Sequence, residues 1–396
     1  MKKLKIGVGA VKIDNQSKKY INRILATSRL SYGYYSKRFE EDFARIHDRK
    51  FAAFCNSGTS ALQVGFDALK IKNKWKDGSE VIVPALTFVA SINTILQNKL
   101  KPVFVDIEED YFGIDPEKIE AAITSNTVCI EPVHLFGQPA DMDPIMDLAR
   151  KFKLSVLEDS CETMFAKYHG KVVGSFGNIA CFSTYAAHLL TTGVGGFAAT
   201  NDKDLAILVK SLFNHGRDGI YLHIDDDDKV SDDKMKMIVQ RRFNFTNIGY
   251  SYRATEFEAA LGVAQLKIWP EMMKKRQENA DYLTRNLSIY SEFLQLPKVR
   301  SDTEHVYMVY PIVVKEMIRP FELILFLEKR GIETRFLLPT LTQPIYKKLF
   351  GDVAKKFPVA LAASRKGFYI GCHHELRKKD LDYILEVFSD FFKKYK

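Results

Sequence analysis

The sequence predicts an α/β fold, with a largely parallel sheet in a large domain and a smaller α+β domain at the C-terminus. Three observations carry that expectation. The chain has 396 residues, more than one ordinary domain holds. Apolar runs alternate with amphipathic stretches from roughly residue 50 to 200. From about residue 300 the elements become shorter and mixed. The expected division is 1–265 for an N-terminal arm and the large domain, and 266–396 for the small one.

Taken in order, FAAFCN (51–56), EVIVPA (80–85), PVFVDI (102–107), VCIEPVH (128–134), LSVLED (154–159) and IACFST (179–184) read as buried strands. Such continuous apolar runs belong to parallel sheets covered on both faces. Helical patterns separate several of them, such as TSALQVGFDALKI after the first and MDPIMDLARKF before the fifth. Ligands bind at the carboxyl ends of such strands, so the residues just after each run are the first candidates for a site. Residues 218–240 hold a block of acids and read as a mobile surface loop. Four consecutive aspartates there do not present ligands to one point. TEFEAALGVAQLKIWPEMMKKRQENADYLTRNL then predicts one long helix or two, with Pro270 at the break. VYMVYPIVV (306–314), a helix, GIETRFLL and a final amphipathic helix make up the small domain.

Composition narrows the function classes. Hydrophobic residues are 46% and charged ones 27%, the balance of a globular protein with a large core. The net charge of +9 is spread out, and its densest run, Lys393-Lys394-Tyr395-Lys396, is a terminal tail. Arginines are not interleaved with aromatics, which argues against a nucleic-acid surface. Some of the charge can help attract an anionic substrate. Five cysteines lie far apart with no CxxC pair, which excludes the usual zinc and iron–sulfur patterns. The first residues lack a signal-peptide core and no segment is apolar enough to span a bilayer, so a cytoplasmic location is expected.

Three motifs carry chemistry. NSGTSAL (56–62) follows a strand and opens a helix, where small residues let backbone N–H groups approach an anion. Alone it is indistinguishable from an ordinary N-cap. VLEDSCET (156–163) ends another buried strand. An acid there can hold a pyridinium nitrogen protonated, and alternation after Leu157 turns Asp159, not Glu158, to the site. FSTYAAHLLTTGVGGFAAT (182–200) runs from a strand into a turn whose Gly193, Gly195 and Gly196 suit unusual dihedrals. His188 precedes that turn in apolar surroundings, where a histidine is more often structural than catalytic.

In this order and spacing the motifs resemble the DegT/DnrJ/EryC1/StrS family of sugar aminotransferases and dehydratases. The resemblance runs from about residue 22 to the C-terminus. It includes RLSYGYYSKRFEEDFA, NSGTSAL, VPALTFVASINTI, HLFGQPADMD, EDSCE, GSFGNIACFST, TTGVGG and GYSYRATEFEAALGVAQL. It implies the aspartate-aminotransferase fold of type I, pyridoxal or pyridoxamine phosphate as cofactor, a nucleotide-linked 4-keto-6-deoxy sugar as substrate and glutamate as amino donor. It further implies a homodimer with shared active sites and a place in deoxysugar synthesis for surface polysaccharide.

Residue roles follow from the same resemblance. Gly58, Thr59 and Ser183 would bind the cofactor phosphate, Phe88 would stack on the ring, and Asp159 would pair with its nitrogen. Ser251 falls where relatives commonly carry an Asn that reaches the partner subunit's phosphate, and Arg253 is a second candidate to cross the interface. His215 and Arg217, in NHGRD, are candidates to face the substrate, with surface or packing roles as alternatives. Arg335 is a candidate for the substrate or the amino donor's carboxylate.

Two departures sharpen the reading. Transaminating members carry a Schiff-base lysine at the place of His188, and commonly Gln or His at the place of Glu162 in the cofactor site. Histidine forms no stable Schiff base but is a good base near neutral pH. The pair His188 and Glu162 is similar to the family's 3-dehydratases of GDP-linked sugars. The region matching the cysteine cluster of the iron–sulfur CDP-sugar members holds no cysteine here, since none lies between Cys181 and Cys372. The expected activity is therefore 3-dehydration with His188 as base and no iron–sulfur cluster. Two rivals stay open: an aminotransferase whose lysine was replaced, naturally or by engineering, and an inactive sugar-nucleotide-binding relative.

Overall fold

The structure is a computed structural model that describes residues 6–220, 222–223 and 226–395. Seven strands form its main sheet: β1 (Phe51–Cys55), β2 (Glu80–Pro84), β3 (Lys101–Val105), β4 (Thr127–Ile130), β5 (Ser155–Asp159), β6 (Ile179–Ser183) and β7 (Gly196–Thr200). Their order is β1-β7-β6-β5-β4-β2-β3. All run parallel except β7, which is inserted antiparallel between β1 and β6. The carboxyl ends of β1, β5 and β6 therefore meet at one edge. β4 stops at Ile130, short of the expected 134, and Val133 makes only a bridge to Asp159.

Helices cover both faces. Gly58–Asn73 and Val89–Gln97 pack on one side with Leu62, Val64 and Ile95. Met142–Phe152 takes the other with Met142, Ile145 and Ala149. Two N-terminal helices, Asn15–Thr27 and Tyr34–Ile46, pack against Glu256–Gln265. The buried Glu256 carboxylate caps the second, accepting from the backbone N–H groups of Gly33 (2.8 Å), Tyr35 (2.9 Å) and Ser36 (2.8 Å).

The second sheet contains β8 (Leu294–Gln295), β9 (Tyr310–Val314), β10 (Thr334–Phe336) and β11 (Gly367–Ile370), in the order β8-β9-β11-β10. Its core joins the helices Trp269–Leu287, Pro320–Lys329 and Lys378–Phe392, and it also takes in Ile6. Pro270 stands in the first turn of Trp269–Leu287, so the predicted break is real and two helices result. No helix among the described residues is long and apolar enough to cross a membrane.

The acidic stretch 218–240 differs from the expected loop. Its second half forms the helix Asp232–Arg241, capped by Ser231 with Asp232 and Asp233 in the first turn. Acids favour that end of a helix, so the block that reads as a solvated insertion is in part a helix start. Tyr221, Ile224 and Asp225 lie outside the described residues.

Beneath the main sheet, Glu158 is fully buried and collects the region's polar groups. It accepts from the backbone N–H of Gly174 (2.7 Å), Phe176 (2.8 Å) and Gly177 (2.6 Å), pairs with Arg49 at 3.2 Å and meets His134 Nε2 at 3.2 Å. Burial alone would raise its pKa, but the His134 contact, the Arg49 charge and these donors together hold it below its ordinary 4.5. This stability is thus present above pH 4.5 and lost as pH falls through the lowered value. Arg49→Met is expected to cost about 3–5 kcal/mol, because it strands the charge of Glu158. Urea titration at pH 7 measures this loss.

Candidate active site

The edge where β1, β5 and β6 end opens into a cavity of about 680 Å³. Gly58, Thr59, Phe88, Asp159, Glu162, Ser183, His188 and Arg335 all line it, so eight of the residues expected at the site converge there from five separate segments.

The floor is built by the turn after β1. Ser57 caps the helix Gly58–Asn73, its side chain accepting from the Ser60 N–H at 3.1 Å. Gly58 opens that helix beside Ser183 and Cys161. A Cβ on Gly58 would lie 2.6 Å from Ser183 Cβ and 2.8 Å from Cys161 Sγ. Only a bare backbone leaves room here, at the start of a helix whose Gly58 and Thr59 line the cavity beside Ser183. The loop between β6 and β7 packs on the same turn. Gly195 has φ +146°, and a Cβ there would strike the side chains of Thr184 and Thr192. Gly58→Ala is expected to weaken inorganic phosphate binding at least tenfold and to cost about 1–3 kcal/mol of stability through overpacking, as isothermal titration and a melting curve would show.

Asp159 ends β5 and is almost wholly buried. Its carboxylate accepts from Ser91 Oγ at 2.8 Å and from the Cys161 N–H at 3.1 Å, and Ser91 in turn meets Thr87 Oγ1 at 2.7 Å. Burial pushes its pKa up, against the pull of those donors. Such an acid gains most by meeting a cation in the cavity. Phe88, which precedes the helix Val89–Gln97, keeps its ring 54% exposed and therefore free to cover a flat ligand.

His188 is half-buried, with Nδ1 3.4 Å from the Ser183 carbonyl. Burial lowers its pKa to about 4, against the carbonyls of Ser183 and Cys161, which favour a ring proton. A neutral imidazole donates from one nitrogen only, leaving the other to take a proton. Glu162 accepts from the Phe136 N–H at 3.3 Å, and burial pushes it up to about 7. The cavity thus holds a neutral base and an acid poised near neutrality. Arg335 donates to the Thr334 carbonyl at 2.7 Å and pairs with Glu333.

His215, Arg217 and Ser251 do not line this cavity. Ser251 is exposed; Arg253 Nη2 donates to its Oγ at 3.1 Å and approaches His215 Nε2 at 3.4 Å. The Arg217 guanidinium contacts the Arg242 carbonyl and lies 5.5 Å and 5.4 Å from the rings of Phe243 and Phe245.

Several wall residues have no motif in the sequence. Val8 and Gly9 come from the N-terminal segment, Met308 and Val309 precede β9, and Tyr369 lies in β11. Glu333, whose Oε2 accepts from the Val8 N–H at 3.1 Å, sits two residues before Arg335 and was within reach of that signal.

Comparison with known proteins agrees with the geometry. The chain matches the model of the DegT/DnrJ/EryC1/StrS aminotransferase family over residues 11–389. It is 34% identical over 385 residues to GDP-perosamine synthase of Caulobacter vibrioides, covering 96% of each chain. Its fold is similar to GDP-4-keto-6-deoxymannose-3-dehydratase as a His-to-Asn mutant with bound GDP-perosamine (TM-score 0.87, 26% identity, 96% of this chain and 99% of that one). The E. coli 3-dehydratase with bound hydrated PLP gives TM-score 0.86 at 26% identity, covering 97% and 99%.

Proposed function

The chain belongs to the DegT/DnrJ/EryC1/StrS aminotransferase family, whose cofactor is pyridoxal phosphate, and on that footing we propose that it is a 3-dehydratase of nucleotide-linked 4-keto-6-deoxy sugars. One observation carries the reading. No lysine is among the described residues that line the cavity, and His188 stands there as a neutral base. The similarity to a 3-dehydratase of a GDP-linked keto sugar points the same way, while the similarity to GDP-perosamine synthase makes an amino-sugar product the rival outcome.

Gly58, Thr59 and Ser183 hold the cofactor's phosphate against the helix N-terminus, Phe88 covers the ring, and Asp159 keeps its nitrogen protonated. When bound in its amine form, the cofactor would supply an amine for the sugar's keto group and a ring able to accept electrons. With no lysine among the described residues of the wall to hold it covalently, these contacts would keep it in place. His188 takes a proton at its free imidazole nitrogen, and then holds the proton that the departing C3 hydroxyl needs. Glu162, near neutrality beside it, is the other group able to hand over a proton. Arg335 meets the carboxylate of glutamate, which restores the amine form. In a homodimer, Ser251 and Arg253 reach the neighbouring copy's phosphate, and His215 and Arg217 lie on that side of the molecule.

The balance distinguishes the two reactions. Dehydration followed by release returns a sugar one oxygen atom lighter, with the amino group leaving as ammonia. Transamination keeps the nitrogen in the sugar. The protein is to be incubated with PLP, glutamate and a GDP- or CDP-linked 4-keto-6-deoxyhexose. Ammonia released in step with sugar consumed supports the proposal; sugar consumed with no ammonia contradicts it.

A further inference from the structure

Phe88 stands at a helix start that its own side chain does not secure. It occupies the N-cap position of Val89–Gln97, with φ −71° and ψ 152°, and makes no side-chain cap hydrogen bond. Ser, Thr, Asp or Asn usually fills that position, because a side-chain oxygen there takes up an orphan N–H of the first turn. A phenyl ring takes up none, so the place of the ring depends on what holds its flanks.

Both flanks are held by the chain that follows β10. Thr340 Oγ1 donates to the Thr87 carbonyl on one side of Phe88. Tyr346 Oη donates to the Val89 carbonyl at 3.2 Å on the other side, and to Asn93 Oδ1 at 2.7 Å one turn along the helix. Thr340 and Tyr346 are both buried, so water does not compete for these bonds. The clasp reaches further, because Thr87 Oγ1 meets Ser91 Oγ, which donates to Asp159. Leu338 lines the cavity itself, has φ +31°, and accepts from the Thr340 N–H at 2.7 Å. A bulky residue in that conformation is strained and persists only where its surroundings hold it. The segment from Leu338 to Tyr346 thus supplies one part of the cavity wall and grips another.

We propose that Thr340 and Tyr346 are positioning residues for the cofactor ring, acting through Phe88: they fix the backbone on both sides of it and so set the plane that its side chain offers. This rests on the reading that Phe88 covers the ring. A platform held in place before the cofactor arrives lowers the ordering cost of binding. If the two hydroxyls served only to pack the C-terminal elements on the main sheet, their loss would weaken every ligand of the cavity alike. A role through Phe88 touches the ring contact and spares the phosphate turn at Gly58, Thr59 and Ser183.

The test compares two ligands on the cofactor-free full chain by isothermal titration. Pyridoxamine phosphate uses the ring and phosphate contacts, and inorganic phosphate uses the second alone. Thr340→Val keeps the shape of the side chain and removes the hydroxyl. It is expected to weaken pyridoxamine phosphate about fivefold, the effect of one buried hydrogen bond, and to leave inorganic phosphate within about twofold of wild type. Thr340→Ser restores the donor and should bind both ligands as wild type does. Phe88→Ala should weaken pyridoxamine phosphate about 30-fold, and adding Thr340→Val to it should change that affinity by less than about twofold, because nothing is left to position. If Thr340→Val does not fold, Tyr346→Phe replaces it. Equal weakening of the two ligands overturns the proposal, and so does a Thr340→Val loss that persists in full without the Phe88 ring. Wild-type affinity in Thr340→Val beside a weakened Phe88→Ala overturns it alone and leaves the ring contact standing. A Phe88→Ala variant that binds pyridoxamine phosphate as tightly as wild type removes the ring contact, and the proposal with it.

Discussion

Replacing His188 with Asn is expected to lower dehydration by about 10²–10⁴-fold, the usual contribution of a positioned general base, while pyridoxamine phosphate binds within about threefold of wild type. Asn preserves the polarity and most of the volume of the ring and can still face the Ser183 carbonyl, but it takes up no proton. Gly58, Thr59, Ser183, Phe88 and Asp159, proposed to hold the cofactor's phosphate and ring, line the cavity unchanged. Binding and turnover should therefore separate. Stopped reactions analysed for sugar consumption, beside equilibrium dialysis of the cofactor, give both numbers from one preparation. A variant that dehydrates at the wild-type rate removes His188 from the chemistry. One that loses cofactor and activity together makes it a binding residue.

Asp159→Asn is expected to act in the opposite order, on cofactor retention first. The substitution keeps the shape and one acceptor oxygen for the Cys161 N–H, with its NH2 turned to donate to Ser91 Oγ, but it removes the charge that a protonated ring nitrogen needs. Truncating one partner of a buried hydrogen-bonded charge pair costs about 2–5 kcal/mol, a loss of affinity between roughly 30-fold and several thousandfold. Dialysis against pyridoxamine phosphate measures it. An Asn variant whose affinity stays within threefold of wild type would show that Asp159 does not meet the ring.

Much of the large sheet was legible because its strands are buried on both faces and read as uninterrupted apolar runs. β1, β2, β5 and β6 begin where those runs begin or within a residue of it, and the helix Met142–Phe152 coincides with MDPIMDLARKF. Legibility failed where tertiary contacts overrode local pattern. VYMVYPIVV looks like one strand, yet only Tyr310–Val314 pairs, since Arg276 and the Phe136 loop claim its first half as cavity wall. The helix Asp232–Arg241 was hidden behind its acids, which belong to its first turn. β11 is central in the small sheet but only four residues long.

The candidate site divides in the same way. Gly58 and Asp159 sit at strand ends and His188 five residues beyond one, in compact motifs that the family resemblance picks out, and all three line the cavity. Val8, Met308 and Tyr369 arrive from distant segments and have no local signature.

The central claim is that a neutral imidazole, in a cavity with no lysine among its described lining residues, commits the bound sugar to loss of its C3 hydroxyl. The most direct measurement is an NMR spectrum of the nucleotide sugar recovered after incubation with PLP and glutamate in deuterated water. The account predicts a C3 methylene carrying solvent deuterium, a carbonyl at C4 and no C3 hydroxyl. A sugar with its C3 hydroxyl intact and an amino group at C4 would contradict it.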